Sequence, residues 1–176
     1  MNAPASCMQL MIDDRSSHSL LSSIGTQWRL VTDKVMGGVS SSRMQLTTVE
    51  GRPCLRLTGE VSLDNNGGFV QASLDLTADG NLDARNYAGI ELDVYGNGET
   101  YNVHLRSEDT LIVWQSYRSS FDAAPRWQTL RLPFAGFIPY RTDASLNPGK
   151  LRRLGLVAIG RKMSADLCVG RIALYR

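Results

Sequence analysis

The sequence predicts an all-β protein, two antiparallel sheets packed as a β-sandwich, from three observations. Apolar residues recur at every second position in short runs, turn residues interrupt those runs at intervals of roughly 10 to 15 residues, and no stretch keeps a helical spacing. About ten strands are expected, enough for a sandwich or a barrel, of which the sandwich is the better fit. With 176 residues, 43% of them hydrophobic, the chain can fill one sizeable core but not two. A single domain over residues 8–176 is therefore expected, behind a disordered N-terminus at residues 1–7.

In chain order, Met8 to Ile12 reads as a first strand closed by Asp13-Asp14, and the Ser-rich stretch Ser16 to Gly25 as a loop with room for one helical turn. Trp28, Leu30 and Thr32 alternate with Arg29 and Val31, a strand that breaks over Asp33 to Gly38. Gly37-Gly38 lies between β-branched Val35 and Val39, which marks a backbone with positive φ or a close approach by another segment. Met44 and Leu46 continue in a strand, Glu50-Gly51-Arg52-Pro53 turns it, and Leu55, Leu57 and Gly59 then share one face. Asn65 to Phe69 carries the Asn-Gly pair favoured by type I′ hairpins, after which Val70, Ala72, Leu74 and Leu76 line one face.

Asp79 to Asn86 reads as a loop with a short helix around Leu82 to Ala84. Ile90, Leu92 and Val94 form a strand, Gly96-Asn97-Gly98 a turn, and Tyr101, Val103 and Leu105 the second arm of an expected hairpin. Leu111 to Arg118 and Trp127 to Leu132 are further strands, the latter stopped by Pro133. Phe134 to Tyr140 is an aromatic loop expected across a sheet edge, and Leu146 to Arg153 has space for a helical turn. Leu154 to Ile159 and Leu167 to Tyr175 supply the last strands.

The totals narrow the function classes. A formal charge of +2 is too small an electrostatic footprint for nucleic acid. Its distribution is uneven, with 7 basic and 9 acidic groups in residues 1–88 against 12 and 8 in residues 89–176. Lys150, Arg152, Arg153, Arg161 and Lys162 read as a solvated polar face. Three cysteines at wide spacing, Cys7, Cys54 and Cys168, indicate neither a disulfide framework nor a zinc site, and reduced thiols in the cytoplasm fit best. The first residues show neither a signal nor a transit peptide, and no run approaches the roughly 18 apolar residues of a membrane span.

Catalytic signatures are sparse. Gly37-Gly38 lacks the spacing of a dinucleotide or phosphate loop, His18 and His104 have no carboxylate cluster or HExxH around them, and no G-x-S-x-G elbow occurs. Glu108-Asp109, an acidic pair of the kind glycoside chemistry uses, falls in an expected turn. No enzyme activity, cofactor or metal is expected. For binding, Trp28, Trp114 and Trp127 could stack on sugar rings but are better read as core. His104 and Arg106 are one strand repeat apart, as are Gln115 and Tyr117; neighbouring strands would bring all four to one concave face, though they are better read as a solvated exterior.

The segments W-x4-D-x-V-M-G-G-V-S at Trp28 to Ser40, N-G-G-F at Asn66 to Phe69 and G-I-x-L at Gly89 to Leu92 carry a family resemblance. So do G-x-G-x-x-Y at Gly96 to Tyr101, W-Q-T-L-x-L-P-F at Trp127 to Phe134, and Phe137. In this order and spacing they resemble the complex I intermediate-associated protein 30 family. The resemblance implies a galactose-binding-domain-like jelly roll and an assembly-factor, chaperone-like role, in which a partly built NADH:ubiquinone oxidoreductase is the partner. It implies no catalysis. Without a transit peptide the chain is similar to a bacterial-type, stand-alone, cytoplasmic member. The function expected is thus a protein-binding assembly module; a carbohydrate-binding module and an unrecognised enzyme, which a convergent His104, Arg106 and acidic constellation in a deep pocket would indicate, are the alternatives. Candidate contact residues are Asp33, Gly37, Gly38, Ser40, Asn66, Gly67, His104, Arg106, Gln115 and Tyr117.

Overall fold

Among the described residues the alternating runs form twelve strands: β1 (Gln9–Asp13), β2 (Arg29–Thr32), β3 (Ser41–Val49), β4 (Arg52–Val61), β5 (Phe69–Asp75), β6 (Gly89–Tyr95), β7 (Thr100–Ser107), β8 (Ser116–Asp122), β9 (Gln128–Pro133), β10 (Ile138–Tyr140), β11 (Leu151–Ile159) and β12 (Met163–Tyr175). The structure, a computed structural model, describes residues 9–110 and 112–176. The disorder expected of residues 1–7 lies outside the described residues.

All strand pairs are antiparallel, in two six-stranded sheets. The first has the order β3-β4-β12-β6-β9, with β1 also on β12. β4 pairs with the first half of β12 and β1 with the second, end to end along one edge, while β6 takes the other edge. The second sheet has the order β10-β8-β7-β11-β5-β2. In both, the last strand in the chain to join, β12 or β11, bridges strands laid down earlier.

The core lies between the sheets. Leu55, Leu57, Leu92, Leu167 and Ile172 of the first sheet face Val70, Leu74, Val103, Leu105 and Leu154 of the second, all buried. Each such side chain contributes about 1.5–3 kcal/mol by leaving water. Trp28 is buried as expected, and its indole Nε1 donates to Asp13 Oδ2 at 2.7 Å. Asp13 also pairs with Arg15, so the two charges are buried together at the end of β1.

Several expectations need correction. Glu50-Gly51 makes a two-residue hairpin between β3 and β4, with φ of 48° and 77° and Val49 paired to Arg52. The Asn66-Gly67 and Gly96-Asn97-Gly98 segments are not hairpins. β4 and β6 belong to the first sheet and β5 and β7 to the second, so both segments carry the chain across the end of the sandwich. At the first crossing a 3-10 turn, Asp64–Asn66, precedes an extended Gly67 with φ −77° and ψ −165°, which does not fold the chain back. Near Leu82 to Ala84 there is no helix: Leu82 bridges to Leu151, and Ala84 N–H donates to Pro148 O at 2.7 Å. The strand expected from Leu111 starts at Ser116, because Gln115 N–H closes a turn on Ile112 O at 2.9 Å. That turn leaves Trp114 58% exposed, outside the core assigned to it. Phe134 to Tyr140 contains a 3-10 turn and the edge strand β10, and Pro148–Lys150 forms the turn foreseen before β11.

Candidate functional site

The family-like segments meet at Asp33. β2 ends there in a 3-10 turn, Asp33–Met36, in which the Thr32 hydroxyl accepts from Lys34 N–H at 3.3 Å. The carboxylate, fully buried, accepts hydrogen bonds from Ser40 N–H at 3.0 Å, Gly68 N–H at 2.6 Å, Phe69 N–H at 3.3 Å and the Ser40 hydroxyl. Burial disfavours its charge, but the Ser40 hydroxyl and these amides outweigh burial and hold the carboxyl below its ordinary range. Ser40 Oγ in turn accepts from Ser62 N–H at 2.9 Å.

The glycines permit this crossing. A Cβ on Gly38 would fall inside the Asp33 carboxyl group, and one on Gly67 would sit 2.5 Å from Asp33 Oδ2 and 3.0 Å from Gly38 Cα. Gly37 serves differently: its φ of 85° ends the turn, with open space around it. Asp33, Gly38, Ser40 and Gly67 are thus spent on one another, and Asn66 is the last residue of the adjacent turn, which Gly67 N–H closes on Asp64 O at 3.0 Å. Beside the exposed Lys34, Asp64 and Asn65, the node presents apolar side chains to water. Val35, Met36, Val39 and Leu63 are 70%, 57%, 50% and 50% exposed.

His104 and Arg106 lie elsewhere, on the outer face of the second sheet. One cross-strand row runs Arg29, Ser73, Gly155, His104, Arg118, Ile138. Gly155 leaves a gap in that row, and the Gln71 side chain lies over it, against the place a Cβ would take. Burial and then the Arg118 charge push His104 down to about 3, so its ring is neutral, and its Nε2 is buried without a partner. Arg118 stacks on Tyr140, 3.6 Å from the ring centroid. Arg106 donates to the carbonyls of Thr110 at 2.9 Å and Ile112 at 3.2 Å.

The four-residue cluster expected on this face is only half formed. Tyr117 pairs with Leu105, not His104, so it points into the core, fully buried, with its hydroxyl donating to Ser145 O at 3.3 Å. Parity explains the error: adjacent strands match His104 to Arg118, and a residue one place away faces the other side. Gln115 stays in the turn, bound to Arg141 O at 3.1 Å. Arg118, Tyr140 and Gln71 take the places sequence reasoning missed; the alternation of Tyr117 and Phe121 with Arg118 and Ser120 was the available signal.

The outer face of the first sheet contrasts with this one. Glu91, 4% exposed, accepts from Gln9 at 3.0 Å and Arg131 at 2.8 Å and pairs with Arg171, which also reaches Asp93 at 3.6 Å. Arg56 and Asp166 form a two-bond pair at 2.9 and 2.7 Å. Among the described residues, the buried side-chain atoms without hydrogen-bond partners are His104 Nε2 and Arg106 Nε, and both belong to the second sheet.

The sequence profile of the complex I intermediate-associated protein 30 family matches residues 17–169, from the loop after β1 into β12. The chain belongs to the complex I intermediate-associated protein 30 family. In this member Asn97, at the second crossing, accepts from Tyr101 Oη at 2.6 Å and donates to Ser164 O at 3.0 Å, tying that crossing to β12. No curated protein sequence matches the chain. Among solved structures it is similar to a family 11 carbohydrate-binding module from Clostridium thermocellum in complex with a β-1,3-1,4-mixed-linked tetrasaccharide. That match has 14% identity and a TM-score of 0.74 over 96% of this chain and 95% of the other. It is also similar to the family 30 carbohydrate-binding module of a Clostridium thermocellum cellulosomal cellulase, with 16% identity and a TM-score of 0.61 over 95% and 96%. At these identities the likeness establishes the β-sandwich fold alone. Among the described residues, no helix is long and apolar enough to cross a membrane.

Proposed function

We propose that the chain is a non-enzymatic binding module that holds a partly assembled NADH:ubiquinone oxidoreductase, with the loop around Asp33 as its recognition element. Family membership supports this partner class. The observation that carries the reading is the division of labour in that loop: Asp33 and Ser40 are consumed in fixing the backbone, while Val35, Met36 and Val39 point to water beside the exposed Lys34. A rigid loop that displays apolar side chains loses little conformational entropy on binding, and such exposed groups mark protein contacts. An assembly factor must also release its client, which suits a small apolar patch in a polar surround.

The test uses purified protein and isolated assembly intermediates of the respiratory complex in a co-sedimentation assay. Val35→Ser with Met36→Ser should weaken association at least tenfold and leave the thermal midpoint unchanged, because both side chains are exposed. Absence of association by the unaltered protein would remove the support for this function.

A second reading, carbohydrate binding, is favoured by the outer face of the second sheet, where His104, Gln71, Arg118 and Tyr140 combine polar groups with an aromatic ring. A thermal-shift series with mixed-linked β-glucan oligosaccharides tests it. A midpoint that does not move at millimolar sugar counts against it.

A further inference from the structure

At the end of the second sheet away from Asp33, three arginines line a cavity of about 350 Å³. Its charged lining is Arg106, Arg152 and Arg153 with Asp75 and Asp79. The grouping of the arginines has a backbone cause. The register between β11 and β7 slips between Leu151 and Arg153, and Leu151 and Leu154, both fully buried, face the core three residues apart. Strict alternation would turn one of the two intervening arginines inward; the bulge lets both face out, with Arg153 opposite Arg106.

The carboxylates do not neutralise this group. Asp75 is shared between Arg153 at 2.8 Å and Arg29 at 3.2 Å. Among the described residues neither Arg106 nor Arg152 has a carboxylate partner. Burial, and then the charge of Arg153, disfavour the charged form of Arg106. Holding like charges together in a half-buried site costs free energy, which an incoming anion offsets.

We propose that this cavity receives a carboxylate side chain from an acidic segment of a protein partner. Guanidinium forks pair with carboxylates through two parallel hydrogen bonds. The turn whose carbonyls hold Arg106 also exposes Ile112, Val113 and Trp114, at 42%, 75% and 58%. Aliphatic groups beside a cationic cavity suit a segment mixing acidic and apolar side chains; a sugar acid has nothing to set against Ile112 and Val113. The proposal rests on the reading of the chain as a protein-binding module and adds a contact at the opposite end of β5 from Val35 and Met36.

The test measures anisotropy of a fluorescein-labelled peptide, Glu-Leu-Glu-Glu-Leu-Glu, at low salt. Arg152→Gln should weaken binding about tenfold, the loss of one charge-assisted contact. Arg152 is exposed and makes no side-chain hydrogen bond among the described residues, so its thermal midpoint should hold. Arg126→Gln removes the same charge beyond the far end of β8 and should leave binding within twofold. A Gln-for-Glu peptide should not bind. Equal losses in both variants, no binding by the unaltered protein, or Arg152-dependent binding of trigalacturonate instead of the peptide would overturn the proposal. Co-sedimentation with respiratory-complex intermediates separates the two ideas: association undiminished in Arg152→Gln refutes this contact and leaves the assembly function standing. Peptide binding without any such association refutes the assembly function and leaves the anion contact standing.

Discussion

At Gly37 and Gly38, adjacent glycines are required for unrelated reasons, and substitution separates them. Gly38→Ala would drive a methyl group into the Asp33 carboxyl, which is held by three amides and a hydroxyl and has no room to move. We expect a loss of about 2–3 kcal/mol by urea denaturation, in the range of overpacking. Gly37→Ala meets open space and carries only the left-handed backbone strain, about 1–2 kcal/mol. Equal losses would mean that the two positions share one role. His104 gives a second expectation at this scale. In the folded chain it titrates near 3, whereas unfolded it titrates near 6.5, so between those values the unfolded state binds the extra proton. Stability should therefore fall as pH drops below 6.5, by up to about 1.4 kcal/mol per pH unit from this group. Denaturation midpoints between pH 6.5 and 5, above the carboxylate range, should show a slope that His104→Gln flattens.

The strands themselves were largely legible, because alternation of buried and exposed side chains is a local property. Val70, Ala72 and Leu74 on β5, or Tyr101, Val103 and Leu105 on β7, face the core as their spacing requires. Where a strand goes next was not legible. Gly96-Asn97-Gly98 has hairpin composition, yet which partner a strand takes is set by residues distant in sequence, here β12 for β6 and β11 for β7. The meeting of Asp33 with Gly67 and Gly68 was visible as a need for close approach. The arginine cavity was hidden because a bulge breaks period two, although Leu151 and Leu154, three apart, record it. The end of β1 was also missed: Asp13 closes the strand as expected, but it holds Trp28 and the 3%-exposed Arg15 as well. Asp13→Ala strands a buried guanidinium and should cost about 3–5 kcal/mol, read as a lowered urea midpoint with the slope unchanged. A change below 1 kcal/mol would mean that Arg15 finds water instead.

Over the whole molecule, the placement of β11 and β12 governs the order of events during synthesis. Without β12 the first sheet is reduced to two separate pairs, β3 with β4 and β6 with β9, plus an unpaired β1; without β11 the second divides between β5 and β7. A nascent chain leaving the ribosome therefore carries hairpin-sized fragments whose apolar faces have no opposing sheet, and it can close neither layer until residues 151–175 emerge. Long-range pairing of this kind is slow and leaves strand edges open to other chains. A chain halted after Gly160 should remain protease-sensitive and aggregate, whereas resistance should appear abruptly once β12 is added. Chaperones that shield polypeptides during translation are thus needed longest for this protein's earliest strands.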